Sequence, residues 1–410
     1  MPNVQQGAIA EFKGGSTILQ TGRLKVDISE EISYLNVDKS LLLHLLSKIK
    51  KEAVDRVTNY WQTQERKKDI VAYTAISGQV PAGVGGADIT VAAADVQLFA
   101  PGDIILIPAF SQTRTFIVIS ISNPSGGPYT VKIRAVDQLA TVGLAATGDL
   151  FRLGNSFEDG SGVGTPISEQ PSQDFNHIQI FQTPYGVTTT AKHLGYRGTT
   201  EWDKIKFEAG VDHAFKLEKS LFFGQRRFDA AGASPSPGTY SQGFMGGLRD
   251  FISTNVSDQA ASTLTQDELD AWIISWTKYG NKMPAVIAGE TVFAYLVRFA
   301  QSQVVPSSWR INMTRNEKTF GIAMTKYVTA YGDEVLWMPH RELLTGASLG
   351  GTAFGLDLTD LKYQFLQGLD THTEVDVQPN GDKKFLDEIR TWCSLKVGNQ
   401  KKHGLLTGVI

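Results

Sequence analysis

Residues 200–224 read TEWDKIKFEAGVDHAFKLEKSLFFG, and the layers of the fold are worked out from this stretch. The Thr199–Thr200 pair supplies a helix cap and Gly224 a stop, so one helix is predicted from Thr200 to Phe223. Its apolar residues occupy two faces: Trp202, Ile205 and Ala209 on one, and Phe207, Val211, Ala214, Phe215, Leu221 and Phe222 on another. Burial on two sides is implied, so the helix runs between other elements.

Downstream, Thr265-Gln-Asp-Glu268 is a capping box for a helix carrying Leu269, Trp272, Ile273 and Trp276 and ended by Gly280-Asn281. A further helix is expected over Glu290–Gln303. The patterns beyond it are strands: GIAMTKYVTA, EVLWMP, THTEVDVQ and FLDEIRTWCSLKVG, the last two joined by the turn signal Pro379-Asn-Gly-Asp382. Upstream, HIQIFQTPYGVTTTA (177–191) reads as a strand, entered from a polar stretch at 158–174.

Before that the composition changes. Only nine of the 88 residues from Ile70 to Phe157 are charged, and six short runs (IVAYTAIS, ADITVAA, GDIILIP, RTFIVISIS, YTVKIRAV, GDLFRLG) recur between turn signals. They predict a small antiparallel barrel or sandwich. From Asp38 to Lys68, by contrast, Leu42, Leu45, Leu46, Ile49, Ala53, Val57, Tyr60 and Trp61 recur at helical steps, and 12 of 31 residues are charged. That pattern predicts one amphipathic helix capped by Asp38. Residues 1–37 keep neither period and read as an extended arm. The order is α+β, with a separate β-rich excursion in the first half.

At 410 residues the chain has the length of two to three domains, and 41% hydrophobic residues supply a packed core. Lys and Arg number 39 against 42 Asp and Glu, a net charge of −3, which argues against a dedicated nucleic-acid binder. Cys393 is the sole cysteine, so neither an intrachain disulfide nor a thiolate metal cluster can form. No signal-peptide pattern opens the sequence, and no run approaches the ~18 apolar residues of a membrane span. A soluble chain of a reducing compartment, without cofactor and without membrane contact, is expected.

Catalytic motifs are few. No Gly-Lys dipeptide exists, which excludes a Walker A loop, and neither G-x-G-x-x-G nor paired-histidine spacing occurs. The adjacent carboxylates Asp267/Glu268 and Asp387/Glu388 read as a helix start and an exposed strand. One match stands out: Gly346-Ala-Ser348-Leu-Gly350 fits G-x-S-x-G, with Asp357 and His372 following in the order of a serine hydrolase. That chemistry needs a helix after the serine, and Gly351-Thr-Ala-Phe-Gly355 does not make one. The stretch reads instead as a flexible loop between strands, and a soluble serine hydrolase is the alternative function. Lys48, Lys50, Lys51 and Arg66–Lys68 read as a solvated helix face, and Trp272 and Trp276 as core.

Several of these stretches, taken in order, resemble a known family. Asn176-His-Ile-Gln-Ile-Phe181 through Val187-Thr-Thr-Thr-Ala191, the helix ending Leu-Glu-Lys-Ser-Leu-Phe-Phe-Gly224, Gly246-Gly-Leu-Arg-Asp-Phe-Ile-Ser-Thr-Asn255, and Glu388 to Gly408 are similar to segments of tailed-bacteriophage major capsid proteins with the Hong Kong 97-like (Johnson) fold. The resemblance covers roughly 176–410. It implies an N-terminal arm with its helix (1–68), an extended loop carrying the β-rich insertion (69–176), a peripheral domain with the spine helix 200–223 (177–255), an axial domain (256–365), and returning peripheral strands with the C-terminus (366–410).

The function implied is a structural, non-enzymatic one. Copies self-assemble as hexamers and pentamers into an icosahedral head enclosing double-stranded DNA, which is contacted non-specifically. The place implied is the virion, assembled in the host bacterial cytoplasm, with a separate scaffolding protein, a portal and possible decoration protein as partners. The excursion, poor in charge, and the helix face bearing Leu42, Leu46 and Ile49 are expected to pack on neighbouring protein. Glycine-rich loops at 230–247 and 346–355 are expected to absorb differences between environments. No lysine occurs from Asp69 through Val131, and Lys132 falls in a predicted strand, so an isopeptide cross-link from the loop tip is not expected.

Overall fold

The computed structural model describes residues 42, 51–65, 67–80, 85–108, 114–124, 127–137, 147–160, 162, 170–194, 200–230, 240–280, 284–302, 318–319, 322–323, 325–329, 332–340 and 343–410. The chain forms two compact units, one of residues 1–61 with 174–410 and the other of residues 62–173.

The smaller unit is a closed barrel. Its six strands run Ile70–Ile76, Ala87–Val91, Thr130–Ala135, Thr115–Ser122, Asp103–Leu106 and Gly148–Asn155 around the circumference, and the last pairs back to the first. Every pairing is antiparallel. Alternate residues point inward, among them Val71, Tyr73, Ile89, Ile105, Phe116, Val118, Val131, Ile133 and Leu150. Closure removes open sheet edges, so this all-β unit needs no added strand to complete it.

The larger unit is built on two large sheets, beside which lie two-stranded pairs such as Arg227–Asp229 with Gln242–Phe244. One has the order Lys51–Val54, Leu361–Leu366, Lys384–Val397, Gln179–Thr188, with His372–Glu374 also paired to the long strand Lys384–Val397. Pro184 lies in the outermost strand, where its missing N–H costs no ladder bond. The second sheet has the order Val256–Ser262, Gly404–Val409, Ala353–Asp357, Pro284–Ala288, Glu334–Pro339, Thr325–Val328. Its central strand Pro284–Ala288 is covered on both faces. Ala285 and Ile287 join one core, and Val286 and Ala288 join the core beneath Trp272, Ile273 and Trp276.

The long helix forms as Glu201–Phe223, with Thr200 as N-cap and Gly224 as C-cap. Its first half packs Trp202, Ile205 and Ala209 around Tyr185 and Ile389 of the first sheet. Its end inserts Leu217, Leu221 and Phe222 into a core shared with Phe354, Leu356, Tyr363 and Leu395 from both sheets. Of the second predicted face Phe207 is exposed. The capping-box helix forms at Gln266–Thr277 and the next at Glu290–Ser302.

Four expectations are corrected. The helix predicted over 38–68 gives way to strands at Lys51–Val54 and Thr58–Thr63; Leu42 is helical, and Asp38, Leu45, Leu46 and Ile49 lie outside the described residues. The physical reason is pairing: Lys51–Val54 runs parallel to Tyr363–Leu366, a partner that helical spacing does not reveal. The glycine-rich stretch 346–355 is no flexible loop either. It is a helical turn, Gly346–Leu349, leading into the fully buried strand Ala353–Asp357. Within 230–247, Gly246 and Gly247 are buried in close contacts, while 231–239 lie outside the described residues. Finally, Glu388 is buried, ion-paired 2.7 Å from Arg390, and not on an exposed strand. The sheets also cut across the expected segments, since Gly404–Val409 joins the second sheet and Leu361–Leu366 the first.

Candidate functional site

The serine-hydrolase residues fall on three separate elements. Ser348 lies in the turn Gly346–Leu349, Asp357 ends a strand of the second sheet, and His372 begins a strand of the first. Asp357 is fully buried and its Oδ1 accepts from Thr359 N (3.1 Å) and Thr359 Oγ1 (2.8 Å). The His372 ring stacks on Trp392 at 5.5 Å, and its Nδ1 sits 2.8 Å from the Asp370 carbonyl. Both partners of the hypothetical serine are thus committed elsewhere. Among the described residues no group of three or more His, Cys, Asp or Glu is placed to hold a metal ion, and no helix is long and apolar enough to cross a membrane.

The side chains that do converge hold distant segments together. Asn176 is fully buried and uses both ends of its amide. Nδ2 donates to the carbonyls of Gly246 (3.1 Å) and Leu395 (2.6 Å), while Oδ1 accepts from the amides of Gly246 and His177, both at 2.8 Å. Three of the segments that resemble capsid proteins therefore meet at one residue. Close by, Arg226 Nε donates to Asp250 Oδ2 (2.6 Å) and Nη1 to Asp174 Oδ1 (2.6 Å), and its guanidinium lies 4.4 Å from the Phe251 ring. Asn255 Nδ2 donates to the carbonyls of Lys401 (2.6 Å) and His403 (3.0 Å), and Gln400 Oε1 accepts from Ser253 Oγ (2.7 Å). The segment 246–255 is in this way fastened to the C-terminal stretch over its length.

Three buried histidines and a buried glutamate belong to the same framework. His403 accepts from the Asp357 amide at Nδ1 (3.2 Å), and burial pushes its pKa down to about 4. His213, on the long helix, lies between Thr183 Oγ1 (3.0 Å) and Thr391 Oγ1 (2.8 Å); burial, then nearby Lys216, lowers its pKa. Glu218 has no solvent exposure. Its Oε1 accepts from the Leu42 amide (2.7 Å) and faces His340 Nε2 (3.2 Å). Leu42 is itself fully buried in the core at the end of the long helix, so this point of the N-terminal region docks on its own chain.

The basic clusters are spent on internal pairs. Lys51 reaches Asp370 (2.9 Å), Lys68 reaches Asp95 (2.8 Å), and Arg227 reaches Asp229 (2.7 Å). Lys48, Lys50 and Arg66 lie outside the described residues. A polar cleft of about 460 Å³ opens beside Lys51–Val54, lined by Glu52, Asp55, Arg56, Asn59, Gln364 and Lys396. Glu52 is held below the usual carboxylate range: partial burial opposes this, but Lys362 and Lys396 outweigh it. Sequence reasoning missed Asn176, Arg226 and Glu218 as partners, since residues 24 to 219 positions apart leave no local signal.

Comparison with known proteins gives the following likenesses. The family described as SU10 major capsid protein matches residues 11–409. The major capsid protein of Pseudomonas phage PaMx41 is 25% identical over 265 residues, which are 62% of this chain and 60% of that protein, so the chain spans under two thirds of the relative's length. Among solved structures, that of Gordonia phage Cozz is 12% identical with a TM-score of 0.48, covering 96% of this chain and 95% of the other. That of Microbacterium phage Oxtober96 is 8% identical with a TM-score of 0.45, covering 94% and 97%.

Proposed function

Because the chain belongs to the SU10 major capsid protein family, we propose that it is the major capsid protein of a tailed bacteriophage, many copies of which build the icosahedral head around double-stranded DNA. The observation that carries this reading is the span of the family match, 11–409 of 410 residues, which takes in both compact units. The architecture agrees with what a shell subunit of the Hong Kong 97-like fold requires. The barrel unit corresponds to the extended loop with its insertion, the first sheet and long helix to the peripheral domain, and the second sheet with its two helices to the axial domain. The pairing of the C-terminal strand Gly404–Val409 with Val256–Ser262 and Ala353–Gly355 supports counting it, on this reading, with the axial part.

The work of such a subunit is mechanical. Hydrogen bonds from Asn176, Arg226 and Asn255 tie distant segments of the larger unit together, and the surface the subunit presents decides how copies meet. No catalytic step is assigned to it. Cys393 is fully buried and burial pushes its thiol up to about 12, so subunits are not joined through disulfides. Further partners of this reading are a scaffolding protein, a portal, a possible decoration protein, and packaged DNA touched without sequence preference; the site of action is the virion, assembled in the bacterial cytoplasm.

Expression of the chain, alone and with candidate scaffolding proteins from a phage carrying it, followed by electron microscopy, tests the proposal. Closed shells of uniform size are expected. A monodisperse monomer under every condition overturns it.

A further inference from the structure

A closed barrel buries alternate residues of each strand and leaves the others outside, where polar residues are expected. Here one side of the outside is apolar. Ile70 is paired with Phe151, and Phe151 with Leu106 of the next strand; Ile104 beside it is paired with Ile117. These positions alternate with the inward residues Val71, Leu150, Ile105 and Phe116, so they share the outer face. Leu153 is the extra residue where the register shifts between Ile104 and Ile105, and it stands out 50% exposed; Ile70 is 55% exposed. The opposite side is polar: Asp88 is paired with Lys132, and Thr90 with Thr130. The barrel is therefore amphipathic around its circumference, although its core is complete without help.

We propose that this apolar side, spread over four neighbouring strands, is a contact surface for a second copy of the same chain. Strand spacing and rise give it an area of roughly 300 Å², so covering it removes roughly 600 Å² in total. A stable free-standing interface needs about 1,000 Å² or more. A separate partner held by this patch alone would therefore fall off. A neighbouring copy in a shell is held at many contacts at once, and a patch of this size adds to them. The inference rests on the shell reading above and names where on the barrel neighbours meet.

The test compares two double variants of the full chain with the native one. Ile70→Glu with Leu153→Glu alters the apolar side at exposed positions, and Thr90→Lys with Thr130→Glu alters the polar side with opposite charges. Shells are quantified by gradient sedimentation and electron microscopy, and folding by circular dichroism. The first variant is expected to lose shells by about tenfold or more, because each carboxylate enters the contact unpaired; the second assembles as the native chain does. Native yield and native heat resistance from the first variant, with native shells forming normally, overturn the inference and leave the shell reading standing. A native chain that never forms shells overturns both.

Should the first variant misfold, hydroxyl-radical footprinting of the native chain decides. Less oxidation at Ile70, Phe151 and Leu153 in shells of this chain alone than in dissociated subunits supports the contact. Equal oxidation, or protection that needs a second protein, overturns it.

Discussion

Replacing Asn176 is the sharpest probe of how the larger unit is held. Its side chain makes four hydrogen bonds to backbone groups of three segments, all out of contact with water. At about 1 kcal/mol net for each bond, Asn176→Ala costs about 4 kcal/mol, and each buried group left without a partner can add to that. Asn176→Asp is more discriminating, because it keeps the shape. It replaces the donor Nδ2 by an oxygen facing the carbonyls of Gly246 and Leu395 at 3.1 and 2.6 Å, so two attractive contacts become repulsive. The aspartate is expected to be at least as damaging as the alanine. Tryptophan fluorescence during urea unfolding is a selective assay, since all seven tryptophans fall in residues 1–61 and 174–410. Far-UV circular dichroism follows the barrel as well. The tryptophan transition should move to clearly lower urea in both variants. An Asn176→Asp chain that unfolds at the native midpoint would show that shape, not hydrogen bonding, sets this position.

Acid should weaken the fold through His403. Its folded pKa is about 4 against ~6.5 unfolded, so the unfolded chain takes the proton first; the stabilisation is complete above pH ~6.5 and is lost as the pH falls toward 4, by about 3 kcal/mol in all. His403→Gln should flatten the fall in urea midpoint over that range, and an unchanged slope would refute the assignment. Gly355→Ala places a methyl 2.5 Å from Cε2 of the fully buried Trp276, a rigid neighbour, and should cost about 1–3 kcal/mol in the same assay; a neutral result would mean the indole can move. Boiled particles on a reducing denaturing gel should run as one band near the 44.8 kDa monomer, and a ladder of pentamer and hexamer bands would contradict the absence of cross-links.

What was legible in the sequence were elements whose signal is local. The helices Glu201–Phe223 and Gln266–Thr277 form behind Thr200 and Thr265 because each cap hydroxyl accepts from a free N–H a turn later, and the Glu268 carboxylate also accepts from the Thr265 amide. The six barrel strands were legible because each is a short apolar-rich run between turns, five of them carrying β-branched residues. The helix predicted through Trp61 failed because burial there follows a period of two that the apolar residues do not spell out: Asn59 and Trp61 are buried, while Tyr60 and Val57 are exposed. Which period wins is decided by distant partner strands: Leu361–Leu366, some three hundred residues away, for Lys51–Val54, and Ser172–His177 for Thr58–Thr63. The stretch 351–355 looked flexible for a related reason. Its glycines are there for close approach, Gly355 under the Trp276 ring and Gly351 against Val409, and nothing local separates such a glycine from one in a loose turn.

The apolar outer side of the barrel was half visible. Runs such as DIILI and FIVISI are apolar at nearly every position, yet a closed barrel encloses only alternate ones. Ile105 and Ile107 go inside with Phe116 and Val118, which leaves Ile104, Leu106 and Ile117 outside whatever the detailed geometry. An unbroken apolar run in a strand means burial on both faces. A barrel supplies one of those faces from its own interior. The other has to come from a different surface, and on the proposed shell reading a neighbouring copy supplies it.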